Sequence, residues 1–201
     1  MGKSHEIRKQ EMVQAVLALA AEHGLSGVTT QRVADFVGVA QPTVFRHFKT
    51  REDLLRATFD AVVNGLGQQT SPIFTASGDP LVRLQQIVFT HLVYVSEVRG
   101  LPRFLFSDDL HLQSPELKAR VQQVMNVYAD NLASLMDEAK AQGQVRDNLP
   151  SRQTASLLIA TIQGLLMRWS LADFSFSLNE QKETVWELFL TAMLPVSKRE
   201  N

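Results

Sequence analysis

Residues Thr29 to Phe48 read TTQRVADFVGVAQPTVFRHF. The stretch predicts two short helices separated by a tight turn. Thr29 or Thr30 can serve as an N-cap, because a hydroxyl accepts the otherwise unpaired N–H groups of a first helical turn. Val33, Ala34 and Val37 then share one face at helical spacing. Gly38 follows the last apolar residue, where a left-handed residue stops a helix. Pro42 is tolerated only near a helix start, so the second helix is expected to begin at Ala40 or Gln41. Val44 and Phe48, four apart, bury it against the first, leaving Gln41, Thr43, Arg46 and His47 outward. A helix–turn–helix offers such a face to the major groove of DNA. A helical hairpin of any all-α domain has the same spacing, so the flanks must decide.

After Phe48 the chain continues Lys49-Thr50-Arg51-Glu52-Asp53-Leu54-Leu55. Thr50 with Asp53 has the arrangement of a capping box, which predicts that a long helix starts there. Lys49 stands at that start, beside N–H groups that favour a phosphate. The paired threonines, the small turn, the short helix ending His-Phe and the lysine before the next helix together resemble the DNA-binding domain of the TetR family of transcriptional regulators. The likeness is close over residues 5–56. Beyond them the chain is similar to the family in length and helical pattern.

That resemblance implies an all-α fold, with a three-helix head over residues 1–56 and a larger ligand-binding and dimerisation domain over 57–201. It implies a DNA surface built from Thr29, Thr30, Gln31, Gln41, Pro42, Thr43, Phe45, Arg46, His47 and Lys49. Gln41, Pro42 and Thr43 match the positions that meet base edges; Gln can pair with adenine and a Thr methyl can pack on thymine. Thr30, His47 and Lys49 match phosphate-contacting positions, which set register and not sequence. One residue departs from the pattern. The family usually has Tyr where Phe45 stands, and Phe lacks the hydroxyl that would reach a phosphate; Arg46 is the expected substitute.

Composition is compatible with this reading. A chain of 201 residues, 45% hydrophobic and 20% charged, can bury a core and is not disordered. There is no cysteine, hence neither a disulfide framework nor a thiolate metal site. No apolar run approaches the ~20 residues that span a bilayer, and no apolar leader opens the chain, so a cytoplasmic protein is expected. The net charge of −1 is unevenly placed: residues 1–56 carry +2 and residues 57–201 carry −3. A mildly basic head on an acidic body follows.

In chain order, Ile7 to His23 is expected to be the first helix, with Val13, Val16, Leu17 and Ala20 inward and Gly24 closing it. Lys3, Arg8 and Lys9 near its start could reach phosphates. The fourth helix should run from Arg51 to Val63 or Leu66, weakened by Gly65 and Gly67, and Gln68 to Gly78 reads as a loop. Asp79-Pro80 and Ser114-Pro115-Glu116 are cap–proline starts of helices reaching Val98 and Gln142. Between them Gly100-Leu101-Pro102 interrupts, and a short helix is expected over Arg103 to Leu110. Ser151 should cap a helix to Leu171. Ser177 or Asn179 should cap the last one, which ends near Leu194, before a frayed polar tail from Val196.

One recognition helix gives too small a half-site, so a homodimer is expected. Ala160, Gly164 and Met167 form a small-residue groove for it, and Trp186, Phe189, Leu190 and Met193 spread apolar area over more than one face. In the resembling family the body encloses an inducer. The candidates here are Phe89, Tyr94, Phe104, Phe106, Met125, Tyr128 and Trp169, with His91, Arg103 and Gln163 as polar groups; such linings suit flat or apolar molecules. Ordinary core packing is the competing reading for each. No phosphate loop or His-Glu-x-x-His signature suggests an enzyme, and no cofactor is implied. Asp108, Asp109 and His111 lie close together, an arrangement met more often in a solvated helix cap than in a metal site. The expected function is a ligand-responsive repressor released from a palindromic operator by a small apolar or aromatic molecule. A constitutive binder or activator is the alternative, and an all-α enzyme the rival class.

Overall fold

The computed structural model describes residues 5–195. Helical residues make up 81% of the described residues, and no strand occurs among them, so the all-α class holds. Among the described residues nine α-helices follow in order: α1 His5–His23, α2 Thr30–Val37, α3 Gln41–His47, α4 Arg51–Thr75, α5 Pro80–Glu97, α6 Gly100–Leu105, α7 Pro115–Ala141, α8 Ser151–Leu171 and α9 Lys182–Met193. Lys3 and the Val196–Asn201 tail lie outside the described residues. The chain divides into two compact units, residues 1–65 with 98–121 and residues 66–97 with 122–201.

In the first unit, α1 turns Met12, Val13, Val16, Leu17 and Ala20 inward, and Leu54, Leu55, Phe59 and Val62 of α4 are buried with them. Short α6 lies directly on α1. A Cβ on Gly100 would stand 2.1 Å from the Leu17 carbonyl oxygen, so only glycine permits the approach. Arg103 donates to the Ala21 carbonyl near the C-terminus of α1, and Phe104 stacks on Phe59 with ring centroids 6.4 Å apart.

In the second unit, Leu84, Ile87, Val88, Leu92 and Val95 of α5 are buried, as are Leu132, Leu135 and Met136 of α7. Leu158, Ile162, Leu166 and Trp169 of α8 are buried as well, and α5 packs against α9.

Three boundaries differ from the sequence expectation. The stretch Gln68 to Thr75 is helical and not a loop: α4 runs on through Gly65 and Gly67, with Pro72 inside it. Its last turn is held from outside. Arg83, only 8% exposed, donates to the carbonyls of Ile73 (3.1 Å) and Phe74 and pairs with Glu138 at 2.7 Å. A helix end leaves carbonyls without partners, and a cation there satisfies them. Second, α6 begins at Gly100 and ends at Leu105, so Pro102 falls in its first turn, where a missing N–H costs little. One π-helical turn, Asp109–Gln113, follows. Third, Ser151 opens α8 without capping it. Its hydroxyl donates to Asp137 at 2.6 Å, and this bond is the main cause that holds the Asp137 carboxyl below its usual range. Before α9, Asn179–Gln181 is a 3-10 turn, and Ser177 accepts from the Glu180 N–H at 3.3 Å.

Candidate nucleic-acid interface

The helix pair is built by local bonds. Thr29 caps α2, accepting from the Arg32 N–H at 3.1 Å. Gly38 is left-handed at φ 73, ψ 41, and the Val39 N–H returns to the Ala34 carbonyl at 2.9 Å. This closure lets the chain reverse within two residues. At Ala40 the backbone is extended and α3 begins, with Pro42 in its first turn. Val44 is fully buried and Phe48 nearly so. Their burial fixes which face of α3 remains outside.

On that face stand Pro42, Phe45, Arg46 and, just beyond the helix, Lys49, at i, i+3, i+4 and i+7. Phe45 is 44% exposed, a large ring in water at the centre of the stripe. Arg46 donates to the Thr43 hydroxyl at 3.1 Å. Gln31 is exposed on α2 and donates to Asp35 at 2.7 Å. Gln41 is half-buried, and its amide donates to the Thr30 hydroxyl at 2.9 Å. This bond ties the first turn of α3 to the first turn of α2, a link that sequence spacing does not reveal. Lys49 is exposed immediately before α4. There the capping box is reciprocal: the Thr50 N–H donates to Asp53 at 3.2 Å, and the Asp53 N–H to the Thr50 hydroxyl at 3.0 Å.

His47 is different in kind. Its Nδ1 is buried with no hydrogen-bond partner among the described residues. Its ring lies 4.2 Å from that of His5. Burial, then the neighbouring His5, Arg46, Arg8 and Lys9, hold it below the usual histidine range, so it is neutral at pH 7. Lys9 lies 5.8 Å over the Phe48 ring.

The residues named for a ligand do not gather in one place. In the second unit, His91 Nδ1 and the Tyr128 hydroxyl are 3.2 Å apart. Burial pushes the histidine down to about 4 and raises the tyrosine, so both are neutral at physiological pH. Phe74, in the last turn of α4, sets its ring edge-on to Tyr128 at 6.0 Å. Gln163 donates to the Met125 sulfur at 3.5 Å. Phe89 and Tyr94 are half-buried on α5, with Lys182 5.4 Å over the Phe89 ring. Trp169 is buried and packs edge-on against Phe174. Arg103 and Phe104 belong instead to the first unit, engaged with Ala21 and Phe59. Phe106, half-buried, belongs to that unit too.

Of the residues named for a dimer, Ala160, Gly164 and Met167 are exposed on α8, and Leu157 and Leu171 extend the same stripe. On α9, Trp186 and Met193 are buried inside the protomer, and Phe189 and Leu190 are half-buried. The large exposed residue there is Leu188, at 64%. Of the acidic and histidine cluster, Asp109 pairs with Arg51 and the His111 Nε2 meets the Leu105 carbonyl. Among the described residues no group of three such side chains could hold a metal ion, and no helix is long and apolar enough to cross a membrane.

Two family models match the chain. That of the bacterial regulatory proteins of the tetR family covers residues 12–58, and that of the C-terminal region of YsiA-like proteins covers residues 59–192. The nucleoid occlusion factor SlmA of Klebsiella pneumoniae is 26% identical over 182 residues, 90% of this chain and 92% of that protein. Among solved structures, the fatty acid degradation regulator FadR of Bacillus halodurans is similar with a TM-score of 0.79 at 21% identity, covering 94% of this chain and 97% of that one. The transcriptional regulator FadR of Bacillus subtilis, solved in complex with stearoyl-CoA, has a TM-score of 0.76 at 19% identity, covering 92% and 98%.

Proposed function

Because the chain belongs to the TetR family and is a DNA-binding transcription regulator, we propose that it is a repressor that binds a palindromic operator as a homodimer and is released by a small, mostly apolar molecule. Residues 1–56 read DNA, and residues 57–201 take the inducer and pair the protomers. The two family models meet two residues from that division, which supports it. The contacts come from α3, from Thr30 of α2 and from Lys49 before α4: Gln41, Pro42 and Thr43 toward bases and Thr30, Arg46, His47 and Lys49 toward phosphates.

One observation carries the inducer: the neutral His91–Tyr128 pair, with Phe74 edge-on to it. An uncharged polar pair beside an aromatic ring orients a ligand without demanding a charge on it. The stearoyl-CoA bound by the similar Bacillus subtilis regulator makes a long acyl chain the class to try first. A ligand that releases DNA must bind the released state more tightly, by the factor that DNA disfavours that state. Hence a saturated acyl-CoA that raises the melting temperature should also free a duplex selected from a random library, and Tyr128→Phe should weaken both effects together. Acyl-CoA that stabilises the protein while the duplex stays bound would reject release, leaving a constitutive binder or an activator.

The dimer follows from exposed apolar area. Leu157, Ala160, Gly164, Met167 and Leu171 recur every three or four residues on α8, a seam that a second copy would cover. Gly164→Arg should yield a monomer in sedimentation; a dimer of unchanged affinity would reject this face.

A further inference from the structure

Four polar links join the first turns of α4 to the chain between Asp109 and Arg120, all within the first unit. Arg51 pairs with Asp109 at 3.1 Å, and the Ser114 hydroxyl donates to Glu52. Arg56 lies 3.6 Å from Glu116, and Arg120 donates to Asp60 at 2.9 Å. The last two are open to water and contribute little. Arg51 is of another kind, because its guanidinium serves three partners at once. Besides Asp109, its Nε donates to the Val28 carbonyl at 2.7 Å and its Nη2 to the Leu25 carbonyl at 2.8 Å. Leu25 and Val28 bracket the 3-10 turn directly before Thr29, the cap of α2.

A path of bonds therefore leads from Asp109 to the recognition helix. Asp109 holds the guanidinium, and the guanidinium holds the two carbonyls of the turn. The turn ends on the Thr29 cap, and Thr30 in the next position accepts from Gln41 in the first turn of α3. We infer that Arg51 is a positioning residue for DNA reading, and that Asp109, in the turn before α7, tunes how α3 is presented. The inference rests on the reading that α3 carries the base contacts. It makes sequence discrimination depend on a carboxylate outside the helix–turn–helix. Only a planar fork can reach two carbonyls and a carboxylate together; a lysine ammonium keeps the charge but not the geometry.

The test uses the whole chain with two duplexes of equal length, one selected from a random library by the wild type and one of mixed sequence. Phosphate contacts serve both duplexes, base contacts only the first. Arg51→Lys and Arg51→Met should each lose about ten- to a hundredfold on the selected duplex, the loss expected for bonds from a charged donor. Both should bind the mixed duplex nearly as the wild type does. Asp109→Asn should lose less, and the double variant Arg51→Met/Asp109→Asn should be no worse than Arg51→Met, because both act through one contact. Arg51→Lys and Asp109→Asn carry the test if Arg51→Met does not fold. Unchanged discrimination in those two variants, or equal losses on both duplexes that track a lower melting temperature, would overturn the inference. A wild type that selects no sequence would remove the base-reading assignment and this inference with it.

Discussion

Replacing Arg83 by methionine keeps most of the aliphatic stem in place and removes only the charged fork. The fork holds the last carbonyls of α4 through two bonds from a charged donor, to Ile73 and Phe74. Each such bond is worth about 1.5–3 kcal/mol. Thr75, the last residue of the helix, is exposed, so water replaces part of what is lost. The net cost of Arg83→Met should then be about 2–4 kcal/mol. The ion pair with Glu138 adds little, because the Glu138 side chain is 48% exposed; Glu138→Gln should cost less than about 1 kcal/mol. Urea unfolding followed by far-UV circular dichroism, at one fixed protein concentration, gives both values. If Glu138→Gln costs as much as Arg83→Met, the salt bridge and not the carbonyl capping holds the end of α4, and the account of the long helix is wrong.

On DNA, Gln41→Ala should cost about 1–3 kcal/mol at one base position, whereas Lys49→Ala should weaken all sequences alike and reduce the salt slope by about 1; equal effects of both changes on every sequence would reject the division between base and phosphate contacts. Acid should destabilise the second unit through His91. The histidine titrates near 6.5 when unfolded and is pushed down to about 4 by burial in the fold. The unfolded state therefore binds the proton first, and its share of stability is complete above pH 6.5 and lost progressively toward pH 4. Unfolding of His91→Gln across that range should lack this part of the slope; an identical pH profile would show that the ring is solvated.

The caps and turns of the head were legible residue by residue. Thr29, Gly38, Pro42 and the Thr50–Asp53 box each act on backbone groups within five residues, so their chemistry is complete in the local sequence. Val44 and Phe48 fixed the buried face of α3 by spacing alone, but of the residues expected outward only Arg46 is exposed: Gln41, Thr43 and His47 are half-buried, and Pro42 and Phe45 stand in the open beside Arg46. The Gln41–Thr30 bond was out of reach even here, because it depends on the angle at which the two helices meet.

Elsewhere the deciding partner is far along the chain. Gly65, Gly67 and Pro72 argue locally for a helix that stops, and α4 continues because Arg83 caps it while held by Glu138, 55 residues away. Arg103 and Phe104 look like members of the body until Arg103 reaches Ala21, 82 residues back. On α9 the apolar residues cover two faces, and only packing decides that Trp186 goes inward while Leu188 stays in water. Sequence alone thus determined the family, the helical class and the buried face of α3, because caps, turns and helical periodicity are short-range. The end of α4, the neutral His91–Tyr128 pair and the three-way grip of Arg51 were decided only by the tertiary structure, because a side chain with several chemically acceptable partners takes the one that packing brings within hydrogen-bond distance.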